Sequence, residues 1–328
     1  MRHASLTFAK QLRESPLSDQ DWDTIWCSDM LNLPEFLGLA PLPIRSLPSV
    51  AYFHENQLTY PVQEEQVRDQ HFAYSNFLTA AAANEVWFNS KYHLDDFLAA
   101  LATYLKRMPD YSCTDEIDLI REKARVVHPG VGLFSRRDAR KPGPIRILWN
   151  ARWEHDKNPQ DFFAAMRELK RSGTAFRLLV LGESFRNSPA VFETAKEEFS
   201  DEIEQWGFAE SRHDYESSLQ LADVVVSTAN HEFFGIGIVE AAAAGAIPVL
   251  PNRLAYPEVT KRLRCPDFCL YGGSVEQLAE RLLLLSEQIV TGEPNDHVGD
   301  LQNAASIFGW NARAKEMDSA IEEIRRHC

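Results

Sequence analysis

The sequence predicts an α/β protein built of two Rossmann-like domains, each a parallel sheet flanked by helices. Three observations carry that class. Apolar, β-branched runs alternate with helical periods along the chain, polar residues stand immediately after several of those runs, and Pro/Gly breaks near the middle separate two such series. A length of 328 residues suits two domains of ordinary size, each able to bury its own core.

In the first half, strands are expected at residues 24–27, 50–53, 86–88 and 126–128, with helices at 71–84 and 92–107. The chain breaks at Pro129 and Gly130, and again at the LysProGlyPro stretch 141–144, where the interdomain linker is placed. The domains then run 1–140 and 141–307. The second half opens on a strand at 145–150, followed by a helix at 159–171 and strands at 176–181, 206–208 and 224–226. Residues 308–328 form a closing helical segment. A doubly wound domain begins with a strand and a Gly-rich turn, whereas this chain opens MRHASLTFAKQLRESP, a helix or loop. The first domain is therefore expected to lack its first strand-helix segment.

Composition narrows the class. No apolar run is long enough to cross a bilayer and no signal-peptide core is present, so a cytoplasmic protein without a membrane partner is expected. Five cysteines without paired CxxC spacing argue against a disulfide framework and a zinc site, and the Cys265/Cys269 pair reads as incidental. The net charge of −14 weighs against broad nucleic-acid binding, which rests on lysine and arginine. A local basic path is still available in Arg136, Arg137, Arg140 and Lys141, which read equally well as a solvated linker.

The most informative stretch is DVVVSTANHEFFGIGIVEAAAAGAIPVLPN, residues 223–252. Val224, Val225 and Val226 suit a strand buried on both faces of a parallel sheet. Phe234, Gly235 and Ile236 open the next helix, whose first turn offers unpaired amides and a positive dipole to an anion, with Gly235 allowing close approach. At ~1.5 Å rise per residue, Glu240 lies roughly 9 Å along that helix, about the distance from a bound diphosphate to a ribose. Glu232, before the first turn, is placed to bond sugar hydroxyls on the other side of the diphosphate. Two glutamates on an exposed helix with no ligand are the alternative.

A basic pair follows the strand at 145–150. Lys157 precedes a helix with Asn158 as its cap and Pro159 at the first helical position. A lysine there opposes the dipole unless an anion lies between them, and a diphosphate supplies one. Ion pairs of Arg152 and Lys157 with Glu154 or Asp156 are the alternative. In the first half, His54, Glu55, Asn56 and Gln57 come directly after a strand and should cluster at the carboxyl end of the sheet, facing a cleft. Asn89 and Ser90 hold the matching loop of the neighbouring strand, or cap the helix that starts at Lys91.

Residues 223–250 resemble the donor-site signature of retaining family 4 glycosyltransferases of the GT-B fold. Three further stretches, YFHENQLTYP at 52–61, VWFNS at 86–90 and LWNARWEHDKNPQDFF at 148–163, resemble the tRNA-queuosine mannosyltransferases. That resemblance implies two Rossmann-like domains with parallel sheets facing a cleft, and closing helices at 308–328 that cross back to the first domain. It also implies GDP-mannose as donor and the cyclopentenediol of queuosine in an aspartate tRNA as acceptor.

By the same resemblance His54, Arg152, Lys157 and Glu232 act at the reacting centre, with Phe233, Phe234, Gly235, Ile236 and Glu240 completing the donor site. Glu55, Asn56, Gln57, Tyr60, Asn89 and Ser90 join His54 on the acceptor side. Family members carry a further segment at their start, with a first strand and a GlyGly-Ser-His-like loop, from which this chain departs. No Asp-x-Asp element stands in a strand context, since Asp95 and Asp96 fall inside a helical pattern, so neither a metal nor another cofactor is expected. A related transferase with a small-molecule, lipid or glycan acceptor, a non-catalytic tRNA or nucleotide-sugar binder, and a sugar-nucleotide epimerase remain open.

Overall fold

A computed structural model of the chain describes residues 2–14, 21–61, 70–135, 140, 143–185, 187–265, 267–291 and 296–327. Arg136, Arg137 and Lys141 of the basic cluster lie outside them. The chain divides into two compact units, Met1–His128 with Ala314–Cys328, and Pro129–Arg313.

The first unit holds a four-stranded parallel sheet of β1 (Ile25–Ser28), β2 (Ser49–Phe53), β3 (Glu85–Phe88) and β4 (Ala124–Val126), in the order β1-β2-β3-β4. All five residues of β2 are buried, as expected for a strand covered on both faces. The order follows the chain and never reverses, so this sheet is singly wound with β1 at its edge among the described residues. The helix Ala4–Glu14 precedes β1 and packs on Leu33–Leu39. The strand expected at 126–128 begins earlier, at Ala124, although the Val127 amide still donates to Phe88 O at 2.8 Å before Pro129 ends the run.

One face of the sheet carries Phe53, Phe77, Phe88, Phe97 and Leu101, with Phe53 and Phe88 stacked at 5.2 Å. The other carries Val50, Tyr52, Trp87 and Val127, and is covered by Met317, Ala320 and Ile324 of the last helix, Trp310–His327. Those three positions recur at helical spacing, so one stripe of the helix meets the sheet. Burying Met317 and Ile324 contributes about 1.5–3 kcal/mol each.

In the second unit six parallel strands are ordered β10-β9-β8-β5-β6-β7. They are β5 (Ile145–Asn150), β6 (Phe176–Leu181), β7 (Ile203–Gly207), β8 (Val224–Val226), β9 (Ile247–Pro251) and β10 (Leu270–Tyr271). After β5 the chain winds one way through β6 and β7, then returns to the other side of β5 as β8. The β5/β8 boundary is thus the topological switch point, where open α/β sheets bind ligands outside the carboxyl ends of their strands. Two apolar layers enclose the sheet, one rich in aromatics around Trp149, Phe162 and Phe163, the other aliphatic around Leu148, Leu179 and Val225.

The division between units falls at Pro129, the first of the two Pro/Gly breaks, rather than at 141–144. Val131 explains the difference. It bridges Gly309, donates to Phe308 O at 2.8 Å and is buried with Val239 and Phe308 of the second unit, which commits the chain before β5 begins. Arg140 belongs to the second unit as well, paired at 2.9 Å with the buried Asp223, so it is fixed in place rather than part of a free basic path. No helix among the described residues is long and apolar enough to cross a membrane.

Candidate active site

The loops that leave β5 and β8 are stitched together. Thr228 donates to the carbonyls of Lys157 (3.0 Å) and Asn158 (2.7 Å), and the Asn230 amide donates to Asp156 O at 2.7 Å. Arg253 closes the same loop by donating to Thr228 O and Ala229 O, both at 3.0 Å. Lys157 and Glu232, 75 positions apart in sequence, are held side by side by this frame.

Lys157 sits in a short 3-10 turn, His155–Lys157, ahead of the helix Pro159–Arg171. Its ammonium donates to His231 O at 2.9 Å and pairs with Asp156 Oδ2 at 3.0 Å and Glu232 Oε2 at 3.4 Å. Burial pulls its pKa down, but Glu232 and Asp156 outweigh burial and raise it above lysine's ordinary value, so the charge persists. Arg152 pairs with Glu154 at 3.2 Å and is about half exposed. Both ion pairs weighed as the ligand-free alternative therefore exist, alongside the contact with Glu232. Asn158 stands at the cap position but not as an accepting cap. Its backbone is left-handed, with φ of 52°, and its amide donates to Asp161 at 2.6 Å instead.

The helix Ile236–Ala243 begins at Gly235, whose φ of 86° explains why glycine stands there. The amides of Ile236 and Gly237 fall in the first turn, where a helix has no internal acceptor to give them. Phe234 is buried against Phe308, and Phe233 packs edge-on to His231 at 4.5 Å, so any ligand meets the backbone of these two rather than their rings. Ile236 is exposed. A small cavity whose lining includes Asn150, Lys157, Glu232, Gly235, Gly237 and Tyr256 brings three of the predicted donor-side residues together, Lys157, Glu232 and Gly235, while Arg152, Phe233, Phe234 and Ile236 lie outside its lining and Glu240 stands further along the helix. Glu240 is not idle there. Tyr215 donates to its Oε2 at 2.6 Å and Arg212 lies 3.3 Å from its Oε1.

In the first unit the predicted residues gather at the carboxyl ends of β2 and β3. His54 is exposed, its ring 4.3 Å from Tyr52, and partial desolvation lowers its pKa. Gln57 donates to Glu55 at 3.1 Å. Tyr60 is half-buried, its amide donating to Asn56 O. Asn56, Asn89 and Ser90 are buried and bonded locally. Asn56 accepts from the amides of Leu58 and Thr59, Asn89 donates to His54 O and meets His93 Nδ1 at 2.8 Å, and Ser90 caps the helix Lys91–Leu105 through the His93 amide. Their side chains hold the loop that presents His54, Glu55 and Gln57.

Asp29 is the residue that sequence reasoning missed here, although it follows β1 just as His54 follows β2. Its Oδ1 accepts from the His54 amide at 3.2 Å, while Oδ2 is buried without a hydrogen-bond partner. Burial, and then the charge of Glu55, raise its pKa from 3.8 to about 7. Between those values the folded chain keeps a proton that the unfolded chain has released, so stability falls as pH rises from about 4 to 7. Asp29→Asn, which mimics the neutral acid, should therefore gain stability relative to the parent across that window in denaturant titrations. A difference independent of pH would rule this out.

Among the described residues no group of three His, Cys, Asp or Glu is placed to hold a metal ion. Cys265 and Cys269 are both free thiols.

Comparison with known proteins gives two family models that together span most of the chain. Residues 1–131 match the model described as tRNA-queuosine alpha-mannosyltransferase N-terminal, and residues 134–300 match glycosyl transferases group 1. A Drosophila melanogaster protein named tRNA-queuosine alpha-mannosyltransferase is 33% identical over 270 residues, 79% of this chain and 70% of its own length. The GDP-mannose:cellobiosyl-diphosphopolyprenol alpha-mannosyltransferase of Xanthomonas oryzae is 27% identical over 134 residues, 40% of this chain and 35% of its own. Among solved structures, Anabaena HepE with UDP superposes with a TM-score of 0.68 at 14% identity, over 97% of this chain and 82% of that one. Sucrose-phosphate synthase from Thermosynechococcus elongatus gives 0.70 at 17% identity, over 99% and 78%. These structural likenesses carry the fold, the GT-B class of two Rossmann-like units with parallel sheets.

Proposed function

Since the chain belongs to the tRNA-queuosine alpha-mannosyltransferase family, we propose that it transfers mannose from GDP-mannose, with retention of anomeric configuration, to the cyclopentenediol of queuosine in an aspartate tRNA. The observation that carries the donor half is the pair of buried Lys157 with partly buried Glu232 at the β5/β8 switch point, beside the helix that opens at Gly235. The donor that names the Xanthomonas relative, GDP-mannose, supports the same nucleotide sugar.

In this reading the diphosphate lies at the first turn of the helix Ile236–Ala243. Lys157 and Arg152 neutralise the charge that grows on it as the glycosidic bond breaks, the electrostatic term that dominates such transfers. These cations, with the helix amides, supply the charge that a metal would otherwise bring, and the reaction is metal-independent. Glu232 accepts bonds from hydroxyls of the sugar, and Glu240 from the ribose. The departing phosphate oxygen takes the proton of the attacking hydroxyl on the same face, so no side chain serves as covalent nucleophile. His54, Glu55, Gln57 and Tyr60 meet the acceptor. With tRNA as substrate, the cytoplasm is the site of action.

The test is transfer of radiolabelled mannose from GDP-mannose to queuosine-containing bulk tRNA, with queuosine-free tRNA, UDP-glucose and EDTA as comparison arms. Label on queuosine-containing tRNA alone, undiminished by EDTA, is expected. Equal label on queuosine-free tRNA would refute the acceptor, equal use of UDP-glucose the donor, and loss of transfer in EDTA the metal-free scheme.

A further inference from the structure

Glu240 is anchored by a residue that the donor-site motif does not contain. Tyr215 lies on the helix Arg212–Leu221, and its hydroxyl donates to Glu240 Oε2 at 2.6 Å while accepting from Asn150 Nδ2 at 2.8 Å. The second hydrogen of that amide goes to Gly237 O at 3.0 Å, in the first turn of the helix that bears Glu240. Asn150 is the last residue of β5, so one amide ties the strand to both helices. The fit is close. A Cβ at Gly237 would come within 2.8 Å of Asn150 Nδ2 and 2.9 Å of its carbonyl oxygen.

We propose that Tyr215 is a positioning residue for the donor ribose, fixing the Glu240 carboxylate so that each of its oxygens keeps a lone pair for one hydroxyl of the 2′,3′-diol. The inference rests on the reading that Glu240 receives the ribose. A carboxylate offers about four acceptor sites. Tyr215 occupies one on Oε2 and Arg212 one on Oε1, leaving one on each oxygen. Without Tyr215 the side chain regains its rotamers, and the order lost must be restored by the ligand when it binds. Burial and the adjacent Glu240 push the phenol's pKa well above its ordinary value, which keeps the hydroxyl proton in place as the donor to Glu240. Arg212 is a poorer anchor, because its side chain is 56% exposed and it also pairs with Glu216 at 2.6 Å.

Calorimetric binding of GDP and of 2′,3′-dideoxyguanosine diphosphate to the wild type and to Tyr215→Phe tests this. The wild type should favour GDP. The variant should bind GDP roughly tenfold more weakly, the loss expected for one charge-assisted hydrogen bond, and bind the dideoxy nucleotide as the wild type does. In turnover the same change should appear as a raised KM for the donor with kcat retained. Arg212→Met, made at an exposed site, should keep the preference for GDP. Equal weakening toward both nucleotides, or full preference for GDP in Tyr215→Phe, would overturn the proposal while leaving Glu240 at the ribose. No preference in the wild type itself would overturn the ribose reading and the proposal with it.

Discussion

Lys157→Ala should lower mannosyl transfer by about 10²–10³-fold, the cost of removing one preorganised group from a developing oxyanion, while raising the donor Kd by less than tenfold. The asymmetry follows from when the charge is needed. Under the proposed function, Arg152 and the first turn of the helix Ile236–Ala243 also meet the diphosphate in the ground state, whereas bond cleavage would add negative charge beside Lys157, which pairs with Glu232 at 3.4 Å. A second effect has to be separated from the first. Lys157 is the partner of Asp156 and Glu232, both partly buried, and leaving such carboxylates unpaired costs up to about 3 kcal/mol of stability, the lower end of the cost for a buried pair. Single-turnover rates should therefore be taken below the variant's Tm. Lys157→Arg, which restores the charge, should recover stability more fully than rate. If rate and donor affinity fall by the same factor, Lys157 binds the ground state and the proposed role is wrong.

Gly182→Ala should destabilise the second unit by about 3 kcal/mol or more, combining overpacking with backbone strain, and lower Tm by roughly 6–12 °C. Gly182 follows β6 with φ of 154°, and a Cβ there would lie 2.0 Å from Ala151 O and 2.8 Å from Trp153 Cδ1. No rotamer relieves a clash with backbone. The chain after β5 has to retreat, carrying Trp153 off its stack with Phe192 at 4.2 Å and moving Arg152 with it. Gly173→Ala provides the comparison, because its φ of 78° carries strain but no atom lies within 4 Å of its Cβ. Calorimetry should rank Gly182→Ala far above Gly173→Ala, and equal losses would show that strain rather than contact sets the cost.

Much of the fold can be read from the chain where its strands are buried on both faces, as in β2 and β8. β5, β6, β8 and the helix Pro159–Arg171 have the bounds expected from apolar runs and the Asn-Pro boundary. The sequence shows β7 only at its end, near Trp206, because Ile203–Gly207 mixes polar residues into an edge strand, and β9 carries Pro248 and Pro251. At the site, residues directly after a strand were legible. Asn158, Asn89 and Ser90 do stand in the loops after their strands, but whether a side chain faces a ligand or its own loop depends on neighbours that sequence spacing does not contain. Asp156 and Asn150 sat inside recognised motifs without their partners being evident. Tyr215 gave no signal at all, because a tyrosine on a helix is ordinary until the fold sets it 2.6 Å from Glu240.

The last helix gives the first unit a peculiar history during synthesis. Val50, Tyr52, Trp87 and Val127 leave the ribosome well before Met317, Ala320 and Ile324, the residues that cover them. For nearly two hundred codons the amino-terminal sheet has one finished face and one open to whatever apolar surface is nearby, while the whole second unit is translated and can fold in the interval. The order in which the chain is made is therefore not the order in which its units are completed, and a nascent chain arrested before residue 314 would present that apolar face to a chaperone.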